Sequence, residues 1–169
     1  MTQVITTSIP DDSILQSCLA AADFYDAYEA PLQDASLTPT EIFLRASRAT
    51  PPWVGTAMTL RNRIARNLGL KDVGGMKAAD DRPAKSYAVG DRLGIFNILG
   101  KSDRELLLGI DDRHLDVRVS LLKLQRNDVH SYVVSTVVKV HNRLGHIYMG
   151  PVGLIHPLVV KAMMKRALV

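Results

Sequence analysis

The sequence predicts an α+β domain in which an antiparallel sheet packs on a long C-terminal helix. Two observations lead to this prediction. From residue 93 onward, four apolar and β-branched runs are separated by short polar turns, which is typical of neighbouring antiparallel strands. From residue 143, apolar residues instead recur at helical spacing, so a helix is available to cover the apolar face of the sheet.

The N-terminal part predicts one strand followed by two short helices. Residues 1–20 show no regular period and are expected to be irregular or partly ordered. The run 22–32 mixes aromatic and acidic residues in rough alternation, which favours an early strand. Thr38, Pro39 and Glu41 then form a helix-start signature, with an N-cap, a proline at the first helical position and an acidic residue three places after the cap.

The second helix is predicted to begin just after the proline pair at 51–52. Its apolar stripe at helical spacing consists of Trp53, Ala57, Leu60, Ile64 and Leu68. Gly69 stands where a C-terminal cap is expected. Residues 71–92 have no period and are rich in Gly, Asp, Ala and Lys, so they are predicted to form a long loop that is mobile or acts as a lid.

The strands and the last helix complete the predicted order. The four runs are residues 93–99, 105–110, 114–125 and 130–141. The helical stripe consists of Leu154, Ile155, Leu158, Val159, Ala162 and Met163, with Lys161 and Lys165 opposite. Pro151 and Pro157 are expected to disturb or break this helix.

Composition limits the classes of function. The 169 residues carry a net charge of +4, with a pI of about 9.3, and are expected to form one domain over 1–169. Basic residues are spread along the chain and aromatic residues make up only 5%, which argues against a nucleic-acid partner. Cys18 is the only cysteine, so no intrachain disulfide or thiolate metal cluster can form.

The sequence shows neither a signal peptide nor an obvious membrane span. The N-terminus lacks a basic start followed by an apolar run. No window of 18 residues is free of charge, proline and glycine, so membrane insertion is not expected. Lys161, Lys165 and Arg166 beside an apolar stripe leave a membrane-surface helix as a remote alternative. A cytoplasmic location is the resulting expectation.

The register of the meander decides how the charged stretch at 109–122 is interpreted. Opposed residues in an antiparallel pair lie on one face, so the apolar sets of the last two strands must match. That match pairs Val117 with Val138 and Val119 with Thr136, and on the other face Asp116 with Lys139, Ser120 with Ser135 and His114 with His141. For the preceding strand, the same reasoning pairs Leu108 with Val117 and Glu105 with Ser120.

The polar cluster of His114, Asp116, Arg118 and His141 is therefore predicted to face away from the apolar side of the sheet. Ordinary cross-strand contacts are one interpretation. A divalent metal site built from His114, His141 and Asp116 is another, since two imidazoles and a carboxylate are suitable ligands. An acid–base pair of His114 with Asp112 is a third. For His156, which lies in an apolar stripe, a structural role is preferred over ligation.

The chain resembles a bacterial family of domains of unknown function. The resemblance is carried by PPW (51–53), LRN (60–62), LGLK (68–71), VGDR (89–92), HLDVRVS (114–120), HNRLG (141–145) and HP (156–157), and it extends from about residue 22 to the end. That family is associated with the helix-grip (SRPBCC-type) superfamily, which includes START lipid-transfer and birch-pollen-allergen-like domains. The resemblance implies a curved antiparallel sheet around a long C-terminal helix, usually with an apolar small molecule between them. The resemblance does not assign a catalytic role to any residue of this chain.

The first hypothesis is accordingly a binding module that encloses an apolar or amphipathic small molecule. The expected lining from the sheet is Phe96, Leu106, Leu108, Val117, Val119, Val134 and Val138, and from the C-terminal helix Ile155, Val159 and Met163. Trp53 and Tyr148 are expected at the closing end, although core packing is the first interpretation of Trp53. No cofactor or metal is expected, because the chain lacks a Gly-rich dinucleotide fingerprint and its strongest ligand set is an ordinary sheet surface.

Two other functions stay open. A hydrolase or cyclase on the same scaffold would require at least one titratable side chain pointing into the cavity. A homodimer could instead form through the outer sheet face, where Val133, Val137, Ser120 and Ser135 lie among charges. The sequence does not identify a ligand, and it does not tell an open cavity from one filled by side chains.

Overall fold

The predicted sheet and C-terminal helix are both present in the computed structural model, which describes residues 3–67, 69 and 82–167. Within these residues, seven strands form one curved antiparallel sheet in the order β1-β2-β7-β6-β5-β4-β3. The strands are β1 (Ile5–Thr6), β2 (Phe24–Pro31), β3 (Arg92–Leu93), β4 (Phe96–Lys101), β5 (Glu105–Asp111), β6 (Leu115–Arg126) and β7 (Val129–Val140). The α-helices are α1 (Pro39–Arg48), α2 (Pro52–Asn67) and α3 (Arg143–Ala167). The α+β, helix-grip-like prediction is confirmed.

Most predicted elements lie where the sequence patterns place them. The early strand is β2, and the two helices after it are α1 and α2. The run 93–99 is divided, because a turn that contains Gly94 at φ +62 separates β3 from β4. Gly69 has the positive φ expected of a C-cap, at +69, while Leu68 and residues 70–81 lie outside the described residues. The predicted long loop therefore lies partly outside them, and its end contains a 3₁₀ turn, Ala84–Ser86, before β3.

The register of β6 with β7 is as predicted. Val117 pairs with Val138, Val119 with Thr136, Asp116 with Lys139 and Ser120 with Ser135. The predicted register of β5 with β6 is wrong by two residues: Leu108 pairs with Val119, Ile110 with Val117 and Glu105 with Leu122. The cause is the turn, since Asp111 still belongs to β5 and pairs with Asp116. A shift of two residues keeps every side chain on its predicted face.

Helix α3 runs without a break through Pro151 and Pro157, so the expectation that these prolines break it is wrong. A proline inside a helix costs about 3 kcal/mol. Packing offsets this cost, because Tyr148, Met163 and Met164 of α3 are buried. Gly145 allows the first turn to approach the β5–β6 turn closely: a Cβ there would lie 2.5 Å from the carbonyl oxygen of His114.

The N-terminal segment is more regular than the sequence predicts. From residue 3 it forms β1 and then a 3₁₀ helix, Ile14–Ala21, which packs on the outer face of the sheet. Leu15 of this helix is fully buried in a cluster with Leu122, Val133 and Val137. The outer-face residues proposed for a dimer are all buried, namely Val133, Val137, Ser120 and Ser135. The expectation of an open outer face at these residues is therefore wrong.

One buried carboxylate attaches the 3₁₀ helix to the sheet. Glu105, on β5, accepts hydrogen bonds from the hydroxyls of Ser13 (2.7 Å) and Ser120 (2.5 Å). The backbone N–H of Ile14 lies 3.2 Å from both carboxylate oxygens. Ser13 is also the N-cap of the 3₁₀ helix, since its hydroxyl accepts from the N–H of Leu15. A buried carboxylate is tolerated where donors surround it in this way.

Replacing Glu105 with Gln is expected to lower the free energy of unfolding by about 1–3 kcal/mol, because the new amide cannot accept all of these hydrogen bonds. Urea unfolding monitored by circular dichroism measures the change. Asp103→Asn, an exposed carboxylate two residues earlier, is the control and is expected to leave the midpoint unchanged. Equal midpoints for wild type and Glu105→Gln would contradict this role for the carboxylate.

The predicted start of α1 is confirmed as a complete capping box. The Thr38 hydroxyl accepts from the Glu41 N–H, and the Glu41 carboxylate accepts from the Thr38 N–H at 2.7 Å. Hydrogen bonds from the Thr38 backbone and hydroxyl lower the pKa of Glu41 below its ordinary value of 4.5. The carboxylate therefore stabilises the folded state fully above pH 4.5, and this stabilisation is lost as the pH falls through the lowered folded-state pKa.

Glu41→Gln is accordingly expected to lower the free energy of unfolding at pH 7. The difference from wild type should shrink as the pH falls through the acid range, because the wild-type carboxyl is then protonated too. Thermal unfolding at a series of pH values measures this difference. Asp128→Asn, at an exposed turn, is the control. If the free energies of unfolding of wild type and Glu41→Gln differ by the same amount at every acidic pH, the charge of Glu41 does not contribute to stability.

Candidate functional site

A cavity of about 200 Å³ lies between the inner face of the sheet and the helices α2 and α3. Its wall is mostly apolar and is formed by Val54, Ala57, Met58, Arg61, Ile95, Phe96, Ile110, Val117, Val119, Thr136, Tyr148, Val152, Ile155, His156 and Val159. An adjoining pocket of about 90 Å³ shares part of this wall and adds Phe24, Asp112, Leu115, Val138 and Met149. The described core therefore includes open space beside side chains of the sheet and two helices.

Strand alternation and helical spacing explain why these side chains meet. Val117 and Val119 are two residues apart on β6, so both point to the inner face. On α3, Tyr148, Val152, Ile155 and Val159 follow the spacing of one helix face. On α2, Val54 and Arg61 lie seven residues apart, which is two turns and hence the same face.

Arg61 and Tyr148 form one polar part of the wall. The Nε–H of Arg61 donates a short hydrogen bond to the Tyr148 hydroxyl, and the guanidinium carbon lies 5.3 Å from the centre of the Tyr148 ring. Arg61 Nη1 also donates to the side-chain oxygen of Asn62 at 2.8 Å. Tyr148 is buried, so this pair presents a cation and a hydroxyl beside otherwise apolar side chains.

His156, Thr136 and Asp26 form a second polar part, where α3 crosses β7 and β2. Nε2 of His156 lies 3.1 Å from Oγ1 of Thr136 and 3.4 Å from Oδ1 of Asp26. Oδ2 of Asp26 accepts a hydrogen bond from the Tyr28 hydroxyl at 3.0 Å. Burial, together with the Asp26 charge, raises the pKa of Tyr28 well above its usual range, so this hydroxyl keeps its proton and remains a donor.

The structure places the predicted lining residues in two groups. Seven of them contribute to the cavity or its adjoining pocket: Phe96, Val117, Val119, Val138, Tyr148, Ile155 and Val159. The other five do not line either space: Trp53, Leu106, Leu108, Val134 and Met163.

These five residues lie in packed core or at the surface. Leu106 and Leu108 are buried in a cluster with Leu44 of α1. Val134 packs against the cluster around Tyr132, and Met163 is buried. Trp53 is 44% exposed, so its proposed core packing is wrong, and Val54, the next residue, lines the cavity instead.

Sequence reasoning named Tyr148 but missed the other polar residues of the wall, Arg61, Thr136 and His156. It also missed Asp26, which lies against His156. Signals for Arg61 and Asp26 were present. Asp26 shares an inward face with Phe24 and Tyr28, two residues away on either side in β2. Arg61 lies two helical turns after Val54. Thr136 and His156 carried no such signal, because a threonine in an apolar strand face and a histidine in an apolar helix stripe are usually structural.

The four residues of the predicted polar cluster do not converge. His114 is buried, and its Nδ1 contacts the side-chain oxygen of Asn142 at 3.1 Å. The same oxygen accepts from the N–H of Gly145 in the first turn of α3, so His114 supports the cap of that helix. His114 is therefore a buried residue with a structural contact and does not belong to an exposed cluster. Asp112, the proposed acid–base partner of His114, lies at the adjoining pocket.

The remaining members form separate surface ion pairs. His141 Nε2 lies 3.0 Å from Asp116, and Arg118 lies 2.6 Å from Asp111. Asp116 and Arg118 face the 3₁₀ helix near Cys18, on the side opposite the cavity, as the register predicts. Among the described residues, no group of three or more His, Cys, Asp or Glu side chains is arranged to hold a metal ion. The metal site from His114, His141 and Asp116 is therefore not formed.

Helix α3 also has an apolar surface outside the cavity. Leu154, Leu158 and Ile147 are 79%, 62% and 64% exposed. By length and composition, α3 is long and apolar enough to cross a membrane, and 17% of its most apolar window is buried. Core helices of soluble proteins meet the same two criteria. Here the helix packs along the sheet through Tyr148, Met163 and Met164, as in a soluble α+β domain.

Comparison with known proteins identifies the family. The model of the family described as protein of unknown function (DUF2867) matches residues 18–163. The chain belongs to the DUF2867 family. The predicted relationship to a domain family of unknown function is thereby confirmed at the level of the family.

Solved structures and curated proteins add little to this assignment. CalU16 from Micromonospora echinospora is similar over 99% of this chain and 92% of its own, with 14% identity and a TM-score of 0.30. A likeness this distant supports no argument about ligand or activity. A search of curated proteins found no match.

Proposed function

We propose that this DUF2867 domain binds a small, mostly apolar molecule in the cavity between the sheet and helices α2 and α3. The observation that carries the proposal is the cavity itself. Its wall is apolar apart from Arg61, Tyr148, Thr136 and His156. Small-molecule sites in proteins typically combine such a wall with a few polar groups that fix the orientation of the ligand.

The volume limits the size of the ligand. Sites for drug-sized molecules measure roughly 300–1,000 Å³, whereas an apolar cavity of about 150 Å³ is large enough for benzene. A cavity of about 200 Å³ therefore suits a molecule with one ring or a small fused ring system. The adjoining pocket of about 90 Å³ leaves room for a substituent.

The polar groups favour an amphipathic ligand. Arg61 and Tyr148 present a positive charge and a hydroxyl on one side, which suit an acceptor or anionic group. Thr136 and His156 present an oxygen and a ring nitrogen on the other, and the Thr136 oxygen suits a donor. The proposed ligand thus has an apolar body with polar groups at its ends.

We also propose a superfamily relationship, a cellular location and a set of partners for this domain. The helix-grip-like arrangement supports a START-like or SRPBCC-type relationship. A bacterial origin stays an expectation from the sequence resemblance. We place the domain in the cytoplasm, without membrane insertion. We also propose that it has no nucleic-acid partner, because its basic residues are spread along the chain. A homodimer stays a prediction, but it requires a surface other than Val133, Val137, Ser120 and Ser135, which are buried.

An enzyme on the same scaffold is the second candidate. From the sequence, an enzyme was expected to require at least one titratable side chain that points into the cavity. His156 and Arg61 both contribute to the cavity wall, and they do so from different helices. This observation favours the enzyme more than the sequence alone did.

A cavity-filling substitution tests the binding proposal. Val119 lies on the cavity wall, so Val119→Phe is expected to fill part of the space and weaken the binding of indole at least about tenfold. Isothermal titration calorimetry with indole as the probe measures this change. The melting temperature should stay within a few degrees of that of the wild type, since the new side chain replaces empty space.

Val129→Phe is the matched control, because it makes the same change in the same sheet at a residue that is 65% exposed. It is expected to bind indole as the wild type does. If wild type and Val119→Phe bind indole with equal affinity, the binding site lies elsewhere. If the wild type binds neither indole nor phenol saturably, the proposed ligand size is wrong.

A further inference from the structure

The cavity wall contains a histidine that is paired with a buried carboxylate. Nε2 of His156 lies 3.4 Å from Oδ1 of Asp26, and the two side chains are 24% and 10% exposed. His156 belongs to the walls of both the cavity and the adjoining pocket. A bound molecule would therefore lie beside this pair.

The carboxylate of Asp26 is only half satisfied. Oδ2 accepts from Tyr28, but Oδ1 is buried and has no hydrogen-bond partner among the described residues. An unsatisfied buried acceptor costs about 1–3 kcal/mol, so such atoms in native proteins call for an explanation. A proton on Nε2 of His156, directed at Oδ1 after a small closing movement, would satisfy it.

That arrangement determines the tautomer of the imidazole. Because Nε2 faces Oδ1 of Asp26, which can only accept, a proton on Nε2 is the arrangement that satisfies this oxygen, and the Thr136 hydroxyl can take either role beside it. Nδ1 is then the unprotonated nitrogen and is left to act as a base. Asp26 in this arrangement holds the ring and stabilises the imidazolium that forms when Nδ1 takes up a proton.

The neighbouring groups are consistent with a base at this position. The Phe24 ring meets the His156 ring edge-on, with centroids 5.9 Å apart, and limits its rotation. Lys161 of α3 lies over the Tyr28 ring at 5.0 Å. On the other part of the wall, Arg61 and Tyr148 provide a positive charge and a hydroxyl, which can stabilise negative charge that develops on a substrate.

We propose that His156, positioned by Asp26, is a general base that removes a weakly acidic proton from a small apolar molecule held in the cavity. This inference rests on the binding function proposed above and names the chemistry of the same site. The substrate class is a molecule of one or two rings whose C–H or O–H proton is activated by a neighbouring electron-withdrawing group. The proton passes to Nδ1 and then to water, and the negative charge left on the molecule develops near Arg61 and Tyr148.

Nitrobenzisoxazole is a suitable probe, because it has two fused rings and reacts on loss of one proton. The base takes the proton from the ring carbon next to nitrogen. The C–H electron pair forms the nitrile, and the N–O bond breaks with its electrons on the phenolate oxygen. The coloured cyano-nitrophenolate reports the rate, and no other reactant is needed.

The wild type is expected to accelerate this reaction with saturation kinetics, and His156→Ala to lower kcat by about 100-fold or more, as is typical for loss of a general base. Added imidazole should restore part of the rate in His156→Ala, which a merely structural histidine would not show. Asp26→Asn should lower kcat and leave KM unchanged, because Asp26 positions His156 and does not touch the substrate.

The matched control is His141→Ala. His141 is paired with Asp116 at 3.0 Å, so it is a histidine–aspartate pair of the same chemistry outside the cavity. It is expected to retain the wild-type rate. Indole binding and melting temperature, measured on each variant, separate loss of the base from loss of the fold.

The outcomes distinguish the two proposals. If the wild type binds indole in the cavity but does not accelerate the reaction, the general base is wrong and the binding function stands. The general base is also wrong if His156→Ala and His141→Ala have equal effects. If the wild type neither binds indole nor accelerates the reaction, both proposals fail.

Discussion

The register between β6 and β7 is the constraint on which the rest of the structure depends. Each strand has twelve residues, and a shift by one residue would exchange every inward side chain with an outward one. Both faces are covered, with α3 on the inner face and the 3₁₀ helix on the outer one. A shifted register would bury Asp116 and Arg118 against α3 and move Val117 and Val119 out of the cavity wall. The observed pairing is thus strongly favoured, and it determines which residues a ligand can meet.

Polar groups on the inner face distinguish this cavity from ordinary core. Glu105, by comparison, lies on the outer face and is surrounded by donors, so a structural role accounts for it. The Asp26 side chain is 10% exposed, but its Oδ1 is buried and has no hydrogen bond in the described part of the chain. Glu105, by contrast, accepts a hydrogen bond at each of its oxygens. That contrast is the physical reason for assigning a structural role to one and a chemical role to the other.

The cavity lies where packing between elements is least complete. Around Leu106 and Leu108, the sheet is covered by α1 and Tyr87, and those side chains are fully packed. Farther along the same face, only Val54 and Ala65 of α2 are buried, and the space under that helix stays open. Helix α2 is therefore the element whose position a ligand would most affect.

Sequence patterns predicted the fold better than the site, and the reasons are physical. Strand alternation and the capping box of Thr38 and Glu41 act within a few residues, so they can be identified in the sequence. The turn at Asp111 shifted one register by two residues, because the length of a polar turn is not determined by periodicity. The covered outer face and the support of α3 by His114 depend on contacts between segments distant in sequence. The same holds for the open space beside Val119, since side-chain identity does not show where a core is incompletely filled.

The most direct test of the account is where a small apolar molecule binds. Methyl groups of Val, Leu and Ile can be followed by NMR during a titration with indole. Binding in the cavity is expected to cause saturable shifts at Val117, Val119, Val152 and Val159, which line it, with the exposed Leu154 and Leu158 unchanged. Shifts confined to Leu154 and Leu158 would mean that the outer surface of α3 takes up the probe, and this would contradict a binding site between sheet and helix.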